Sequence, residues 1–320
     1  MNRTLLVTAI AALSATSAFA QSSVTIYGRL NLTAESQKSN DVKTTVLNNN
    51  ASRIGFKGTE DLGGGLKAGF VLEHGFNPDT GTPAASFWGR QSEVNLSGGF
   101  GTVRLGNFVS EAYFATSDYI GMHNHETGSS SDAVYAYIGR NTNKIGYRTP
   151  TLGGLTVDAA FSAAEATGKF RTYDLALNYG TGPLHIGVGY EKANTARQVA
   201  ISGLYEMGSF IFGGMVQRDT DGLGAGLGNR TNVRGAVAYI FGANELHVNV
   251  GRAGEYSKLK NSEATQYTLG YNYNLSKRTK VYGYYTAIND SKAGLYTGGP
   301  RANGKDGEFS SLALGVRHNF

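Results

Sequence analysis

The chain has 320 residues with 45 glycines, 19 tyrosines and no cysteine, and its formal net charge at neutral pH is +5. The absence of cysteine excludes disulfides, thiolate metal sites and cysteine nucleophiles, and an aromatic share of 11% argues against a disordered chain. Charged residues make up only 17%, below the usual share of a soluble domain, and no stretch after the first twenty residues is apolar for long enough to form a transmembrane helix.

The first twenty residues have the pattern of a secretory signal peptide. Arg3 gives a positive start, an apolar run follows, and Ala18-Phe19-Ala20 is a small-x-small cleavage site. A first transmembrane helix is the alternative, but the apolar run is too short and the cleavage site argues against it. We therefore expect residues 1–20 to be removed on export and residues 21–320 to form a single domain.

Beginning at residue 23, the chain alternates apolar and polar residues with a period of two. In the last such segment Leu312, Leu314 and Val316 lie on one face, while Ser311 and Arg317 lie on the other. This period is typical of a β-strand with one apolar and one polar face. The same pattern predicts sixteen strands, at 23–34, 51–60, 65–75, 86–97, 101–108, 140–149, 155–163, 171–180, 183–192, 198–207, 209–218, 230–241, 244–254, 265–275, 279–289 and 309–320.

The predicted connections alternate in length, with short glycine-rich turns and long polar loops, the latter at 35–50, 109–139, 219–229 and 290–308. Such alternation is typical of an up-and-down antiparallel barrel with turns at one rim and loops at the other. A soluble sandwich also alternates apolar and polar residues, but strands of about ten residues match the span of a tilted strand in a bilayer. Since lipid offers no partner to unpaired backbone groups, a sheet there must close. We therefore predict an all-β fold, a transmembrane antiparallel β-barrel.

Five stretches carry a resemblance to a known family. They are Ser-Val-Thr-Ile-Tyr-Gly-Arg at 23–29, Ser-Arg-Ile-Gly-Phe-Lys-Gly-Thr-Glu-Asp-Leu-Gly-Gly-Gly-Leu-Lys-Ala at 52–68, Gly-Gly-Phe-Gly-Thr-Val-Arg-Leu-Gly at 98–106, Asn-Leu-Ser-Lys-Arg-Thr at 274–279 and Gly-Val-Arg-His-Asn-Phe at 315–320. On these residues the chain resembles the trimeric general porins of Gram-negative outer membranes, most closely those of β-proteobacteria. The resemblance covers the whole of residues 21–320.

The resemblance implies a barrel of 16 strands in the outer membrane, with the third long loop folded into a water-filled lumen, and three barrels in a homotrimer. It also implies contact with outer-membrane lipid and lipopolysaccharide, and recognition of the terminal Phe320 by the outer-membrane barrel assembly machinery. It implies no catalytic residue, metal, cofactor or nucleic-acid partner. The expected solutes are small inorganic and organic ions.

In this family the third long loop narrows the pore, and here that loop corresponds to residues 109–139. The stretch contains four acids: Glu111, Asp118, Glu126 and Asp132. It lacks the Pro-Glu-Phe-Gly motif of enterobacterial relatives, so the motif does not identify the acid that faces the pore. Glu126 and Asp118 are the preferred candidates.

The family also places arginines on the barrel wall opposite this loop, and motif matches point to Arg53, Arg90 and Arg140. Alternation independently places Arg53, with Lys57, and Arg140 on the polar faces of their strands. Arg29 and Arg104 also fall on the polar faces of their strands. The predicted basic wall of the constriction therefore has six members: Arg29, Arg53, Lys57, Arg90, Arg104 and Arg140.

Arg90 fits the alternation poorly, because it shares parity with Val94 and Leu96, which are expected to face lipid. A bulge near Ser92, or a neighbouring barrel packed at that point, would reconcile the arginine with the pattern. The resemblance alone assigns Arg90 to the basic wall.

Together these features predict an outer-membrane channel for passive diffusion of ions and small hydrophilic solutes, with a preference for anions because the cations outnumber the acids. Three alternatives stay open, namely a solute-specific channel of the same fold, a surface adhesin and an outer-membrane enzyme. An enzyme of this kind needs serine and histidine together at an outward-facing rim, whereas His185 and His247 fall on lumenal positions. We therefore expect no enzymatic activity.

Overall fold

The computed structural model describes residues 23–39, 42–118, 120, 134–139, 141–165, 170–290, 293, 295–296 and 308–320. The predicted signal peptide lies outside this part of the chain. Strands make up nearly all of the regular structure, and no helix among the described residues has the length and hydropathy of a transmembrane helix.

Neighbouring strands run antiparallel in one sheet, and the last strand pairs with the first, so the sheet closes into a barrel. The strands are β1 (Ser23–Ser39), β2 (Val42–Asn49), β3 (Arg53–Gly63), β4 (Leu66–Asn77), β5 (Thr82–Pro83), β6 (Gln91–Gly98), β7 (Gly101–Asn107), β8 (Lys144–Arg148), β9 (Leu155–Ser162), β10 (Thr172–Thr181), β11 (Leu184–Ala193), β12 (Ala196–Met207), β13 (Phe210–Thr220), β14 (Asn229–Phe241), β15 (Asn244–Ala253), β16 (Ala264–Asn274), β17 (Thr279–Asp290) and β18 (Glu308–Asn319).

Two of these segments add no strand to the barrel wall. β2 and β3 both pair with β1, one with each half, so together they form one wall strand that is interrupted at residues 50–52. Ala51 has a φ of 56° at this interruption, as is common where a ladder is disrupted by a bulge. β5 has two residues and pairs only with the last two residues of β4. The barrel therefore has sixteen wall strands, which confirms the predicted fold.

The prediction of a polar loop at 35–50 is wrong, because most of this stretch forms a β-hairpin. β1 continues to Ser39, β2 begins at Val42, and Gln37 lies opposite Thr44. Polar residues lie on both faces of the hairpin, and its few apolar residues, such as Val46 and Leu47, are divided between the two faces, so no apolar face is present for a periodicity argument to detect.

Side chains alternate between the two faces of the wall as the sequence pattern predicts. On β10, Thr172 and Asp174 are buried on the inner face, whereas Tyr173 and Leu175 are exposed on the outer face. Apolar residues outside suit lipid, and polar residues inside suit a wet lumen. A separate buried apolar cluster lies at the end of the barrel that carries the long loops, and it contains Val134, Ala253, Ala264, Ile288, Tyr296 and Phe309.

Gly28 and Phe320 form the end of the seam that closes the barrel. The Gly28 N–H donates to the Phe320 carbonyl at 3.0 Å, and the Phe320 N–H donates to the Gly28 carbonyl at 3.1 Å. The Phe320 ring covers Gly28, and a Cβ at this glycine would overlap the ring and lie 2.6 Å from the Arg53 carbonyl oxygen. Only glycine allows the chain terminus to lie this close to β1.

We expect Gly28→Ala to destabilise the barrel by about 1–3 kcal/mol, because the added methyl group overpacks the seam. The free energy of unfolding in urea, measured with the barrel in lipid vesicles, gives this difference. Gly235→Ala is the matched control, since a Cβ at Gly235 on β14 would meet no atom within 4 Å. Equal stability of the two variants would contradict the prediction.

Candidate functional site

The chain between β7 and β8 turns into the barrel. A short α-helical turn, Glu111–Tyr113, continues as a π-helical turn, Phe114–Asp118. Ser110 caps the start of the first turn, where its Oγ accepts a hydrogen bond from the Tyr113 N–H at 3.1 Å. The two turns pack against β10, β11 and β12. The described part of the predicted third loop therefore lies inside the lumen.

Asp174 on β10 holds the first residues of the helical turn. Its carboxylate oxygens accept hydrogen bonds from the N–H groups of Glu111 and Ala112, at 2.7 and 2.9 Å. Lys144 on β8 donates to the same carboxylate at 3.0 Å, and both side chains are almost fully buried. A carboxylate is favourable here because the first N–H groups of a helical turn have no partner within it. One wall residue thus fixes the point at which the loop enters the lumen.

Two glycines of β11 let the loop approach the wall closely. A Cβ at Gly189 would lie 2.8 Å from the Cβ of Ala112, and a Cβ at Gly187 would overlap the Ala115 carbonyl group. A larger side chain at either position would push the helical turns away from the strand. The width of the remaining lumen therefore depends on these two residues.

The limb of the loop that returns towards β8 is held by glutamines of the wall. Gln217 on β13 binds both backbone groups of Ala136: its Oε1 accepts from the N–H at 2.9 Å, and its Nε2 donates to the carbonyl at 3.1 Å. Gln198 on β12 donates to the Tyr135 hydroxyl at 2.8 Å and is itself bound by Gln217 at 3.0 Å. Side chains here provide the pairing that a neighbouring strand gives elsewhere.

A fully buried arginine anchors the same limb from β14. Arg230 forms an ion pair with Asp219 at 2.9 Å, and its guanidinium lies 4.7 and 5.3 Å from the ring centroids of Tyr256 and Tyr296. The guanidinium also donates to the Val134 carbonyl at 3.2 Å. A carboxylate and two aromatic faces offset the cost of burying the charge. This cluster therefore ties the loop to β13, to β14 and to the two connections that carry Tyr256 and Tyr296.

Arg29, Arg53 and Arg90 lie on the wall on the other side of the lumen. Arg29 and Arg53 are direct partners across the β1–β3 pair, and the Arg29 Nε donates to the Asn319 side chain at 3.2 Å. Glu73 on β4 lies 3.6 Å from Arg53 and 2.7 Å from Arg90. Two arginines thus share one carboxylate, and the wall keeps an excess of positive charge.

Arg90 faces the lumen although its parity assigned it to the lipid-facing side. The strand predicted at 86–97 begins only at Gln91, and the chain bends just before it. Parity with Val94 and Leu96 has no meaning outside the strand, because the alternation of faces requires continuous extended backbone. Neither a bulge near Ser92 nor a neighbouring barrel is needed to explain the position of Arg90.

The other predicted cations divide into two groups. Lys57 shares the inner face with Arg53, and its Nζ lies 5.3 Å from the centroid of the Tyr27 ring. Arg104 on β7 lies beneath the loop, where Glu93 binds it at 2.6 Å and where it also pairs with Glu111. It therefore supports the loop and does not extend the row formed by Arg29, Arg53 and Arg90. Arg140 lies outside the described residues.

The predicted acids of the loop also differ in placement. Glu111 is buried between Arg104 and Arg148, and Arg148 donates to it at 2.8 Å. Glu111 lies in the loop, outside the strands, and burial raises the pKa of its carboxyl, while the two arginines oppose this shift. Asp118 instead reaches the space in front of Arg53. Glu126 and Asp132 lie outside the described residues.

A cavity of about 560 Å³ separates the basic wall from the loop. Arg53, Glu73 and Arg90 line the wall side, and Asp118 lines the loop side together with aromatic side chains of the loop. Opposite charges on the two sides of a narrow wet gap produce a field across it. Such a field can select ions and orient polar solutes.

Two further cations of the inner face, Arg317 and Lys280, were not assigned to the predicted basic wall. Arg317 on β18 and Lys280 on β17 are direct cross-strand partners, and Arg317 lies two residues before Asn319, the partner of Arg29. Lys280 lies 3.4 Å from Glu245. The alternation that places Arg317 opposite the apolar residues of the last segment was sufficient to identify it. These residues continue the positive wall from Arg29 sideways onto β18 and β17.

We expect Gln217→Leu to increase hydrogen exchange at the backbone amide of Ala136 by about tenfold or more, because a buried donor without an acceptor costs about 1–3 kcal/mol. Mass spectrometry of the peptide that contains Ala136, with the barrel in detergent, measures this rate. Asn178→Leu is the control, since Asn178 has inward parity on β10 near the short-turn rim. Unchanged exchange in Gln217→Leu would show that the glutamine does not hold the loop.

Comparisons with known sequences agree with this architecture. The family described as Gram-negative porin matches residues 7–293. The outer membrane porin protein 32 of Delftia acidovorans is 30% identical, and the match covers 100% of both chains. The major outer membrane protein P.IB of Neisseria meningitidis serogroup B is 26% identical, again over 100% of both chains.

Solved structures share the fold. An anion-selective porin from Comamonas acidovorans has a TM-score of 0.76 and 26% identity, and the match covers 94% of this chain and 100% of the other. Salmonella typhi OmpF in complex with daunomycin has a TM-score of 0.75 at 13% identity, with coverage of 93% and 97%, which supports the fold alone. The chain therefore belongs to the Gram-negative porin family, and it is an outer-membrane channel protein and not an enzyme.

Proposed function

We propose that this porin is a passive diffusion channel for ions and small hydrophilic solutes that prefers anions. The observation that carries the proposal is the row formed by Arg29, Arg53 and Arg90 on one side of the lumen, opposite the loop. Arginine stays charged at any physiological pH, so the row acts as a permanent positive surface along the path of a solute.

The distribution of ion pairs in the lumen supports this preference. Several inward acids lie directly against cations: Arg104 and Arg148 bind Glu93, Glu111 and Asp158 between them, and Lys144 binds Asp174. Their charges are partly compensated within a few ångströms, so they contribute less to the field further away. Glu73, in contrast, is shared by two arginines, so a positive charge is left over at the basic wall.

The same geometry favours polar solutes over apolar ones. The charges of the wall and of Asp118 lie on opposite sides of one cavity, and the field between them orders the water inside. A dipolar solute aligns with this field as it passes, whereas an apolar solute has to displace ordered water without replacing its interactions. A relative of the same family, the porin from Comamonas acidovorans, is described as anion-selective, which supports the proposed preference.

We also propose that three copies assemble into a homotrimer. An apolar groove of about 680 Å³ lies on the outer face of the wall strands next to the seam, and Leu32, Leu47, Val281, Leu314 and Val316 line it. A groove of this kind fits apolar side chains of a second copy. One structure of the same fold, OmpT of Vibrio cholerae, is described as a trimer form.

Other partners follow from the outer-membrane location. Lipid and lipopolysaccharide would cover the outward apolar residues that are not in the trimer contact. The outer-membrane barrel assembly machinery would read Phe320 before the seam closes, because the residue lies at the chain terminus and its ring packs on β1 only in the closed barrel. The export signal at residues 1–20 is part of the same proposal.

We expect the purified protein in a planar bilayer to be more permeable to chloride than to potassium. The sign of the reversal potential in a potassium chloride gradient measures this preference. Arg90→Gln should lower the ratio of chloride to potassium permeability about threefold or more, because one unit charge close to the ion path is worth about 1 kcal/mol in water. Asp118→Asn should raise the same ratio, because it removes a negative charge from the opposite side of the cavity.

The control for both variants is Lys260→Gln, which removes an exposed lysine that pairs with Glu255 outside the barrel wall. Its permeability ratio should equal that of the unmodified protein. Preference for potassium in the unmodified protein would refute the proposed selectivity. An equal change in the ratio for Lys260→Gln and Arg90→Gln would show that the row of arginines does not control it.

A further inference from the structure

The loop presents a group of aromatic side chains to the constriction cavity. The ring centroid of Tyr113 lies 5.8 Å from that of Phe114, 5.7 Å from that of Tyr135 and 5.5 Å from that of Tyr137. Tyr113, Phe114 and Tyr137 line the cavity, and Phe114 and Tyr137 are 45% and 39% exposed. Aromatic rings therefore form one side of a water-filled space in the lumen.

Conduction of small ions gives no reason for these rings. Inward positions on the wall strands are otherwise mostly polar, as an aqueous channel requires. Exposed apolar surface that is concentrated at one place and bordered by polar residues usually marks a binding site. The rings of Phe114 and Tyr137 lie in such a place, because the charged residues of the wall border the same cavity.

The opposite side of the cavity offers guanidinium groups. The side chain of Arg90 is 33% exposed and that of Arg53 is 20% exposed, and both bind the largely buried Glu73. A guanidinium has five N–H donors, so one shared carboxylate does not use the donors of both arginines. A second carboxylate is well suited to the donors that are left, because fork-shaped pairing between arginine and carboxylate is strong.

We propose that this cavity is a binding site for aromatic monocarboxylates on their way through the channel. The carboxylate would lie against Arg53 and Arg90, and the ring would pack on Tyr113, Phe114 and Tyr137. The volume of about 560 Å³ falls in the range of ordinary small-molecule pockets. The proposal rests on the function proposed above, since it names a class of organic anion that the anion-preferring channel would hold longest.

Asp118 narrows the class of ligand. It lines the same cavity and belongs to the same π-helical turn as Phe114. A ligand ring on Phe114 would share this cavity with the Asp118 carboxylate, so a second negative charge on the edge of the ring away from the arginines would be repelled. The site therefore discriminates against aromatic dicarboxylates and favours ligands with a single carboxylate.

The test is block of the chloride current through single channels at neutral pH by added benzoate. Benzoate should block at about a tenfold lower concentration than cyclohexanecarboxylate, which has the same charge and a similar size without an aromatic face. Terephthalate, whose second carboxylate lies on the far edge of the ring, should block more weakly than benzoate. Tyr113→Leu should raise the blocking concentration of benzoate about three- to tenfold and leave that of cyclohexanecarboxylate nearly unchanged.

Two controls separate the outcomes. Tyr179→Leu replaces an exposed tyrosine on the outer face of β10, and benzoate should block this variant at the same concentration as the unmodified protein. If Tyr113→Leu does not fold, Phe114→Leu takes its place. Equal block by benzoate and cyclohexanecarboxylate in a channel that conducts chloride would overturn the aromatic site and leave the proposed channel intact. A folded protein without chloride conductance would overturn both.

Discussion

Hydrogen bonding of the backbone inside a bilayer is the constraint on which the rest of this structure depends. Lipid offers no partner to a free N–H or C=O group, so every wall strand needs a neighbour on both sides and the sheet has to close. The β1–β18 seam meets this requirement, with Gly28 and Phe320 at its end. Once the wall is closed, its outer face needs only apolar residues that contact lipid or a second copy of the chain. The properties that distinguish this porin are therefore concentrated on the inner face.

The inner face uses the same residue types for two different purposes. Where the loop covers the wall, Asp174, Gln217 and Arg230 are buried and bind loop backbone groups. Where the lumen stays open, Arg53 and Arg90 keep part of their surface in water and act through their charge. The covered charges among these have partners of opposite sign, as the cost of burying an unpaired charge requires. The position of one loop thus decides whether a polar wall residue is structural or electrostatic.

Sequence alternation is sufficient for the barrel and only partly sufficient for the constriction. A residue in a strand points to one of only two faces, so parity correctly predicts the inward positions of Arg53 and Arg317. Parity fails at Arg90, because the chain bends before β6 begins. Parity also cannot reveal the hydrogen bond between Gln217 and Ala136, which are 81 residues apart, because Gln217 has the same inward parity as every other lumenal residue of its strand. Contacts of this kind depend on the path of the loop and not on the strand.

The seam also sets the order in which the molecule can be completed. Arg29 and Asn319 bind each other across it although 290 residues separate them in the chain. Contacts between residues so far apart in sequence form slowly, and no shorter piece of the chain contains both sides of the seam. Until Phe320 has been synthesised and placed, β1 lacks one neighbour and presents an open strand edge, which promotes aggregation. The pairing of β1 with β18 therefore determines how long this chain stays prone to aggregation while it folds.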